Sequence, residues 1–431
     1  MRWTDQYLER RVTAAEAVKV VKSGDLVYVQ ANTGTPEQLV RALVDRRAGL
    51  ERVRVAHILA VGTELPYVAP GMEKHFRHVA FFCGASSRQA VNDGRAEFIP
   101  VFLSEISALF GKELPVDVAL VHVTPPDEHG FCSYGVGVDV TKAAAEAAKV
   151  VVAQVNRNMP RSLGDSFIHV NEIDFIVEAD DPLPELRPEP STDVYRGIAS
   201  HISGLIPDGA TMQLGIGAIP DAVLPLLHEK NDLGVHTEMF SDGVMELLES
   251  GNITNARKTL HRGKVVSSFF MGTRKLYTYV DDNPVFELHP SSYTNDPFII
   301  AQNENLIAIN SAIEVDLTGQ VCADSMGHEI YSGIGGQVDF IRGAARSKGG
   351  RPIIALPSTA RGGKVSRIVT ALKPGAGVVT SRGDVHFVVT EHGVASLHGR
   401  SIPERARALI AIADPSFRPE LTAFAKARHW M

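Results

Sequence analysis

The sequence predicts an α/β protein built from two tandem homologous open-sheet α/β domains, residues 1–188 and 189–431. Three observations carry this. Apolar, β-rich runs alternate with helical patterns along the chain, the signature of a mainly parallel sheet covered by helices. Residues 23–46, SGDLVYVQANTGTPEQLVRALVDR, align without a gap on residues 207–230, PDGATMQLGIGAIPDAVLPLLHEK. Between the halves lies a polar, proline-rich segment, DPLPELRPEPST at 181–192, of the kind that links domains. At 431 residues the chain also exceeds what one ordinary core holds.

The duplication continues beyond the first match. Pro36 falls on Pro220 at an offset of 220 − 36 = 184, with Gly34 opposite Ala218. Phe81-Phe82-Cys83-Gly84 matches Phe269-Phe270-Met271-Gly272 (269 − 81 = 188), and Asp127 with Gly130 matches Asp316 with Gly319 (316 − 127 = 189). Val138-Asp139 with Lys142 matches Val338-Asp339 with Arg342 (338 − 138 = 200). Matches in one order with a slowly growing offset mark a repeated fold.

Taken in order, the first helix starts at a capping box, Thr13-Ala14-Ala15-Glu16. Strands are predicted at 26–30, 116–123, 150–155, 175–177, 306–310, 353–356 and 386–390, and a late helix opens at Pro403-Glu404. No apolar run approaches the roughly 18 residues of a membrane span, and MRWTDQYLERRV lacks the apolar core of a secretory signal. A cytoplasmic protein without a membrane partner is expected. Cys83, Cys132 and Cys322 are scattered and form no CxxC pair, which argues against a disulfide framework and a zinc site and for buried thiols. A net charge of −7 without a basic block argues against nucleic acid.

The chemistry is expected between Thr211 and Gly243. A short strand, Thr211 to Leu214, meets the turn Gly215-Ile216-Gly217-Ala218, and Ile219-Pro220-Asp221 opens a helix. Such a unit aims backbone N–H groups at negative charge. A second strand, Gly234 to Phe240, ends at a Ser241-Asp242-Gly243 turn and carries Glu238 near its carboxyl end, where parallel sheets bind ligands. A strand-end acid alone is more often a solvated group, and GxG turns occur in many α/β proteins. A dinucleotide fingerprint would need a third glycine where Pro220 stands. Sliding the first half so that Gly62 meets Gly243 (243 − 62 = 181) puts His57 opposite Glu238, so one active site per chain is expected. A second glycine cluster, Tyr331 to Gly336, precedes a helix, and the basic turn Arg361-Gly362-Gly363-Lys364 could meet phosphates. The Glu391-His392 pair has no nearby acid or nucleophile and is taken as structural.

HTEMFSDG around Glu238, GIGAIPDAV from Gly215, SGIGGQVDFIRGA from Ser332, GKVSRIV from Gly363 and TEHGVASLHGRSIPERA from Thr390 resemble the acetyl-CoA hydrolase/transferase family of class I CoA-transferases. The likeness spans essentially the whole chain and is nearest the branch of 4-hydroxybutyrate and butyryl-CoA:acetate CoA-transferases. It implies a CoA-transferase that moves CoA from a short-chain acyl-CoA to a small carboxylate, such as acetate, butyrate or 4-hydroxybutyrate. Glu238 then corresponds to the glutamate that becomes a glutamyl-CoA thioester. Gln213, Leu214, Gly215, Ile216, Gly217 and Ala218 correspond to oxyanion and CoA-binding positions, with Ile313, Gly333, Gly335 and Gly336 as further contacts. Leu214 stands where the family's GGxGxxP has its first glycine, and the basic contact is placed at Arg361 rather than Lys364. CoA is implied as substrate and covalent intermediate, with no permanently bound cofactor and no metal, and a homo-oligomer, dimer or tetramer, is expected.

A carboxylate can attack a thioester to give an anhydride and CoA thiolate, and fixed backbone donors can hold the oxyanion. Because one thioester is exchanged for another, neither metal nor ATP is required. Two alternatives stay open: an acyl-CoA hydrolase using the same glutamate, and a non-catalytic sensor of acyl-CoA or a sugar phosphate, which would not need Glu238.

Overall fold

A computed structural model describes residues 2–188, 190–215 and 217–431. The contacts gather into two units, Met1–Arg187 with Val266–Thr294 and Pro188–Val265 with Asn295–Met431. A single cut at 188/189 was expected, whereas residues 266–294 pack with the first unit. The cause is apolar: Phe270, Met271, Leu276, Val280, Phe286 and Leu288 are fully buried. Hydrogen bonds fix the segment there, from Phe270 N–H to Val136 O at 2.9 Å, Asp165 N–H to Leu288 O at 2.8 Å and Leu186 N–H to Gly272 O at 3.0 Å.

In the first unit, β1 (Leu26–Val29), β2 (Val53–His57), β3 (Phe76–Ala80), β4 (Glu97–Phe98), β5 (Val118–Val123), β6 (Val150–Asn156) and β7 (Phe175–Ala179) form one sheet. Their order is β4-β3-β2-β1-β5-β6-β7 and every neighbouring pair is parallel. β1 and β5 are buried along their whole length, as strands covered on both faces must be. The helix α1 (Glu37–Asp45) turns Leu39, Val40, Leu43 and Val44 onto Val27, Val29, Val53 and Val55. That stripe, at helical spacing, is what its sequence pattern predicts.

The second unit contains α2 (Asp193–Ser203), β8 (Thr211–Leu214), α3 (Ala218–Val223), β9 (Gly234–Val235) and α4 (Asp242–Glu249). β10 (Leu306–Ser311), α5 (Gln337–Arg346), β11 (Arg351–Ala355), β12 (Phe387–Thr390), β13 (Gly393–Ser396) and α6 (Ile402–Ile412) follow. The sheet runs β9-β8-β10-β11-β12-β13, parallel except for the closing β12/β13 hairpin. Glu391 and His392 are the two-residue turn of that hairpin, and an acid does lie near the pair, with Asp414 Oδ2 3.7 Å from His392 Nε2. The capping box expected at Thr13 and Glu16 forms on the short helix Ala14–Ala17, which a helix over Trp3–Arg10 precedes, and a second box at Ser401 and Glu404 starts α6.

Strand pairing reproduces the offsets of the sequence repeat. Val27 lies opposite Val118 as Thr211 lies opposite Leu306, which gives 211 − 27 = 184 and 306 − 118 = 188. Ala119 pairs with Val151 as Ile307 pairs with Arg351, which gives 351 − 151 = 200. The turns repeat as well. Asp127 Oδ1 accepts the N–H groups of His129 and Phe131, and Asp316 Oδ1 those of Thr318 and Gln320, each followed by a left-handed glycine, Gly130 or Gly319.

One correspondence needs correcting. Val27 pairs with Val55 and Thr211 with Gly234, an offset of 234 − 55 = 179 and not 181. His57 is therefore the counterpart of His236, and Leu59 that of Glu238. Alignment on the downstream glycines Gly62 and Gly243 hid the two-residue difference.

All three cysteines are free and buried. Among the described residues no helix is long and apolar enough to cross a membrane.

Candidate active site

The site is organised by the carboxyl edge of the second sheet. β8 ends at Leu214 and leads through Gly215 and Gly217 into the six-residue α3, with Pro220 in its first turn. Gly217 sits at φ +105°, a conformation that side-chain-bearing residues rarely adopt. Ile216, one of the expected binding positions, lies outside the described residues. Gln213 is buried and its Oε1 accepts from Asn310 Nδ2 at 3.0 Å, bracing β8 against β10.

The expected strand from Gly234 to Phe240 is interrupted. Regular pairing stops at Val235, and Glu238 stands at a bend. Thr237 is the reason. Its hydroxyl lies 2.9 Å from both Leu214 O and Met239 O and accepts Leu214 N–H at 3.2 Å, so it occupies backbone groups that a ladder would use. The bend turns the half-buried Glu238 carboxylate toward Asn295, whose Nδ2 donates to Glu238 Oε2 at 3.0 Å. Asn295 is itself fully buried.

Gly336, the residue before α5, closes the other side. A Cβ added there would overlap both Glu238 Oε2 and Asn295 Nδ2, so only glycine lets the carboxylate lie against this backbone. Gln337 Nε2 donates to Ser311 O at 2.7 Å and ties the start of α5 to the end of β10. The second glycine cluster thus meets Glu238 at Gly336, while Gly333 and Gly335 lie just before it in the same loop.

Beside these elements is a cavity of about 400 Å³. Of the expected contacts, Gly217, Ala218 and Ile313 line it. Its wall also carries Tyr195 from α2, Met326 and Arg367, which sequence reasoning did not single out. Gln213, Leu214, Gly215, Gly333, Gly335, Gly336 and Arg361 are not among its lining residues. Arg361 sits at the exposed tip of the hairpin formed by Thr359–Ala360 and Val365–Ser366, with Lys364 exposed next to it. Glu391 supports the rim: Ser358 donates to it from N–H at 2.8 Å and from Oγ at 2.6 Å, next to the lining residue Pro357.

The missed residues had weak signals. Asn295 is one asparagine among many, and only its following Asp-Pro helix start sets it apart. Arg367 lay inside the GKVSRIV motif, where the more exposed basic residues drew the assignment.

Residues 1–185 match the acetyl-CoA hydrolase/transferase N-terminal domain and residues 272–425 its C-terminal domain. The interval between them contains both the glycine turn and Glu238. The chain is 53% identical, over 98% of each sequence, to 4-hydroxybutyrate coenzyme A transferase of Clostridium kluyveri. It is 48% identical to succinyl-CoA:acetate/propanoyl-CoA:succinate CoA transferase of Fasciola hepatica, over 94% of this chain and 85% of that one. The crystal structure of RipA from Yersinia pestis superposes with a TM-score of 0.94 at 38% identity, each chain covered in full.

Proposed function

This chain belongs to the acetyl-CoA hydrolase/transferase family, and on that footing we propose that it is an acyl-CoA:carboxylate CoA-transferase with Glu238 as its nucleophile. The observation that carries the assignment of the nucleophile is the setting of Glu238: a half-buried carboxylate on a bend, oriented by Asn295 and lying against Gly336 at the start of α5.

The reaction starts when Glu238 attacks the thioester carbonyl of an acyl-CoA. The oxyanion collapses with loss of CoA thiolate and leaves an anhydride between Glu238 and the acyl group. Thiolate then attacks the glutamyl carbonyl, the acyl group departs as a free carboxylate, and CoA remains on Glu238 as a thioester. An incoming carboxylate reverses both steps and leaves as the new acyl-CoA. Backbone N–H groups of the glycine turn and of the Gly336 segment are the oxyanion donors in this scheme, each worth about 3 to 4 kcal/mol when well aimed. Asn295 holds the carboxylate in place before attack.

The names of the two relatives include 4-hydroxybutyrate, acetate, propanoyl and succinate, which supports small carboxylates as partners. Acetate, butyrate and 4-hydroxybutyrate are the acceptors we propose. Incubation with butyryl-CoA and no acceptor should leave CoA on the peptide containing Glu238, detected by mass spectrometry, and exchange kinetics should be ping-pong. Absence of the adduct together with substantial exchange by Glu238→Gln would refute the nucleophile. Turnover that is equally fast with and without added acetate would instead identify a hydrolase.

A further inference from the structure

The cavity beside Gly217 holds a single charged side chain among its described lining residues, Arg367. Its backbone is clamped from both sides, since Arg367 N–H donates to Ser358 O and its carbonyl accepts Val315 N–H, each at 2.8 Å. Both partners follow closely on the carboxyl ends of sheet strands, so the residue's place on the wall is fixed by the sheet. The guanidinium makes one long contact, Nη1 to Ala312 O at 3.4 Å, and no carboxylate pairs with it among the described residues. The rest of the wall is uncharged, apolar at Ala312, Ile313, Met326 and Pro357 and hydroxyl-bearing at Tyr331 and Ser332.

A guanidinium keeps its charge and offers five donors in a planar fork. On an uncharged wall, with one donor weakly used, it favours a ligand that brings an anion with paired oxygens. Acetate or butyrate does not need a cavity of this size. The only component of the reaction that does, and that carries such an anion, is the CoA moiety. We propose that Arg367 binds the diphosphate of CoA, and that this contact places the nucleotide half of the substrate in the cavity. The exposed pair at the hairpin tip, Arg361 and Lys364, competes less well, because solvent screens a cation there.

This inference rests on the transferase reading above, and its test separates the two. Three donors are compared: butyryl-CoA, butyryl-dephospho-CoA and butyryl-pantetheine, which lacks the diphosphate. Arg367→Gln should raise KM for the first two by about 10- to 100-fold, the effect of losing a charge-assisted hydrogen bond. It should leave kcat for both, and both constants for butyryl-pantetheine, near wild type, because binding lost equally from ground and transition states appears in KM. Arg367→Lys should recover part of the loss. An equal loss with butyryl-pantetheine would mean a structural role and overturn the proposal. So would a loss seen with butyryl-CoA but not with butyryl-dephospho-CoA, which would point to the 3′-phosphate. If wild type exchanges none of the donors, the transferase reading fails, and calorimetric titration of CoA into wild type and Arg367→Gln still decides the contact: equal affinities would reject it.

Discussion

The strand β2 and its counterpart β9 begin alike and end differently. Both pair with the first strand of their unit, and His57 and His236 occupy the same place on them. In the first unit the chain keeps its partner, with Asn32 N–H reaching Leu59 O at 2.6 Å and Val61 N–H reaching Asn32 O at 3.4 Å. In the second unit the Thr237 hydroxyl takes over the backbone groups of Leu214, the ladder stops, and Glu238 is displayed where Leu59 would be. The facing loops differ in step. At the offset of 200, Gly336 corresponds to Val136, which is fully buried. One copy has a glycine against its carboxylate, and the other has a buried side chain at the matching position. Under the proposed assignment of Glu238, a duplicated fold divides the work, one half packed for stability and the other open for chemistry.

The sharpest way to break this comparison is Glu238→Gln, which keeps shape and removes the proposed nucleophile. Exchange should fall by a factor on the order of 10³ or more with little change in melting temperature. Retained activity would make Glu238 no more special than Leu59. Next comes the pair Gly336→Ala and Val136→Gly. The first should cost about 100-fold in kcat, because the added methyl group displaces the carboxylate by a fraction of an ångström or more. The second should leave the rate per folded molecule intact while removing about 2 to 4 kcal/mol of stability through the cavity it opens. Urea melts combined with active-site titration separate those outcomes, and a Gly336→Ala enzyme at full speed would refute the steric argument.

Asn295→Ala should lower kcat by about 10- to 100-fold, since one oriented hydrogen bond to the carboxylate proposed to react is lost. An unchanged kcat would make Asn295 a bystander.

The packed half is tested through stability and not through rate. Burial, with the neighbouring His78, holds the His57 imidazole well below its ordinary range, and burial pushes His78 and His122 each down to about 4. Their folded-state values lie below the unfolded value, so protons bind the unfolded chain first as pH falls. The stability contributed by these neutral rings is complete above the unfolded value, about 6.5, and is lost as pH drops from there toward 4. Each ring contributes up to about 1.4 kcal/mol per pH unit in that window. Urea melts at several pH values should show this slope, and His78→Phe should flatten it. A variant with the wild-type slope would remove His78 from the account.

Much of this was legible in the sequence. The strands, the linker and the duplicated register follow from periodicity and from turn residues such as Asp127 and Asp316, which act locally. Glu238 stood out because it is charged within an apolar run. The break at Thr237 was not legible, because threonine favours strands and nothing local says that its hydroxyl will compete with the ladder. Asn295 and Arg367 are brought beside Glu238 and Ala312, residues 57 and 55 positions away. Periodicity carries no information at that separation. The placement of residues 266–294 escaped for the same reason, since an apolar segment declares that it is buried but not where.

That segment also bears on how the chain is made. The first unit lacks part of its apolar interior until residue 294 has left the ribosome, so the nascent half cannot close its core when the linker emerges. Glu238 and Asn295, which share a hydrogen bond, are synthesised on opposite sides of this excursion. Fragments cut at the linker would strand the apolar face of 266–294 on the wrong piece, and a cut after Thr294 would strand residues 188–265 in turn.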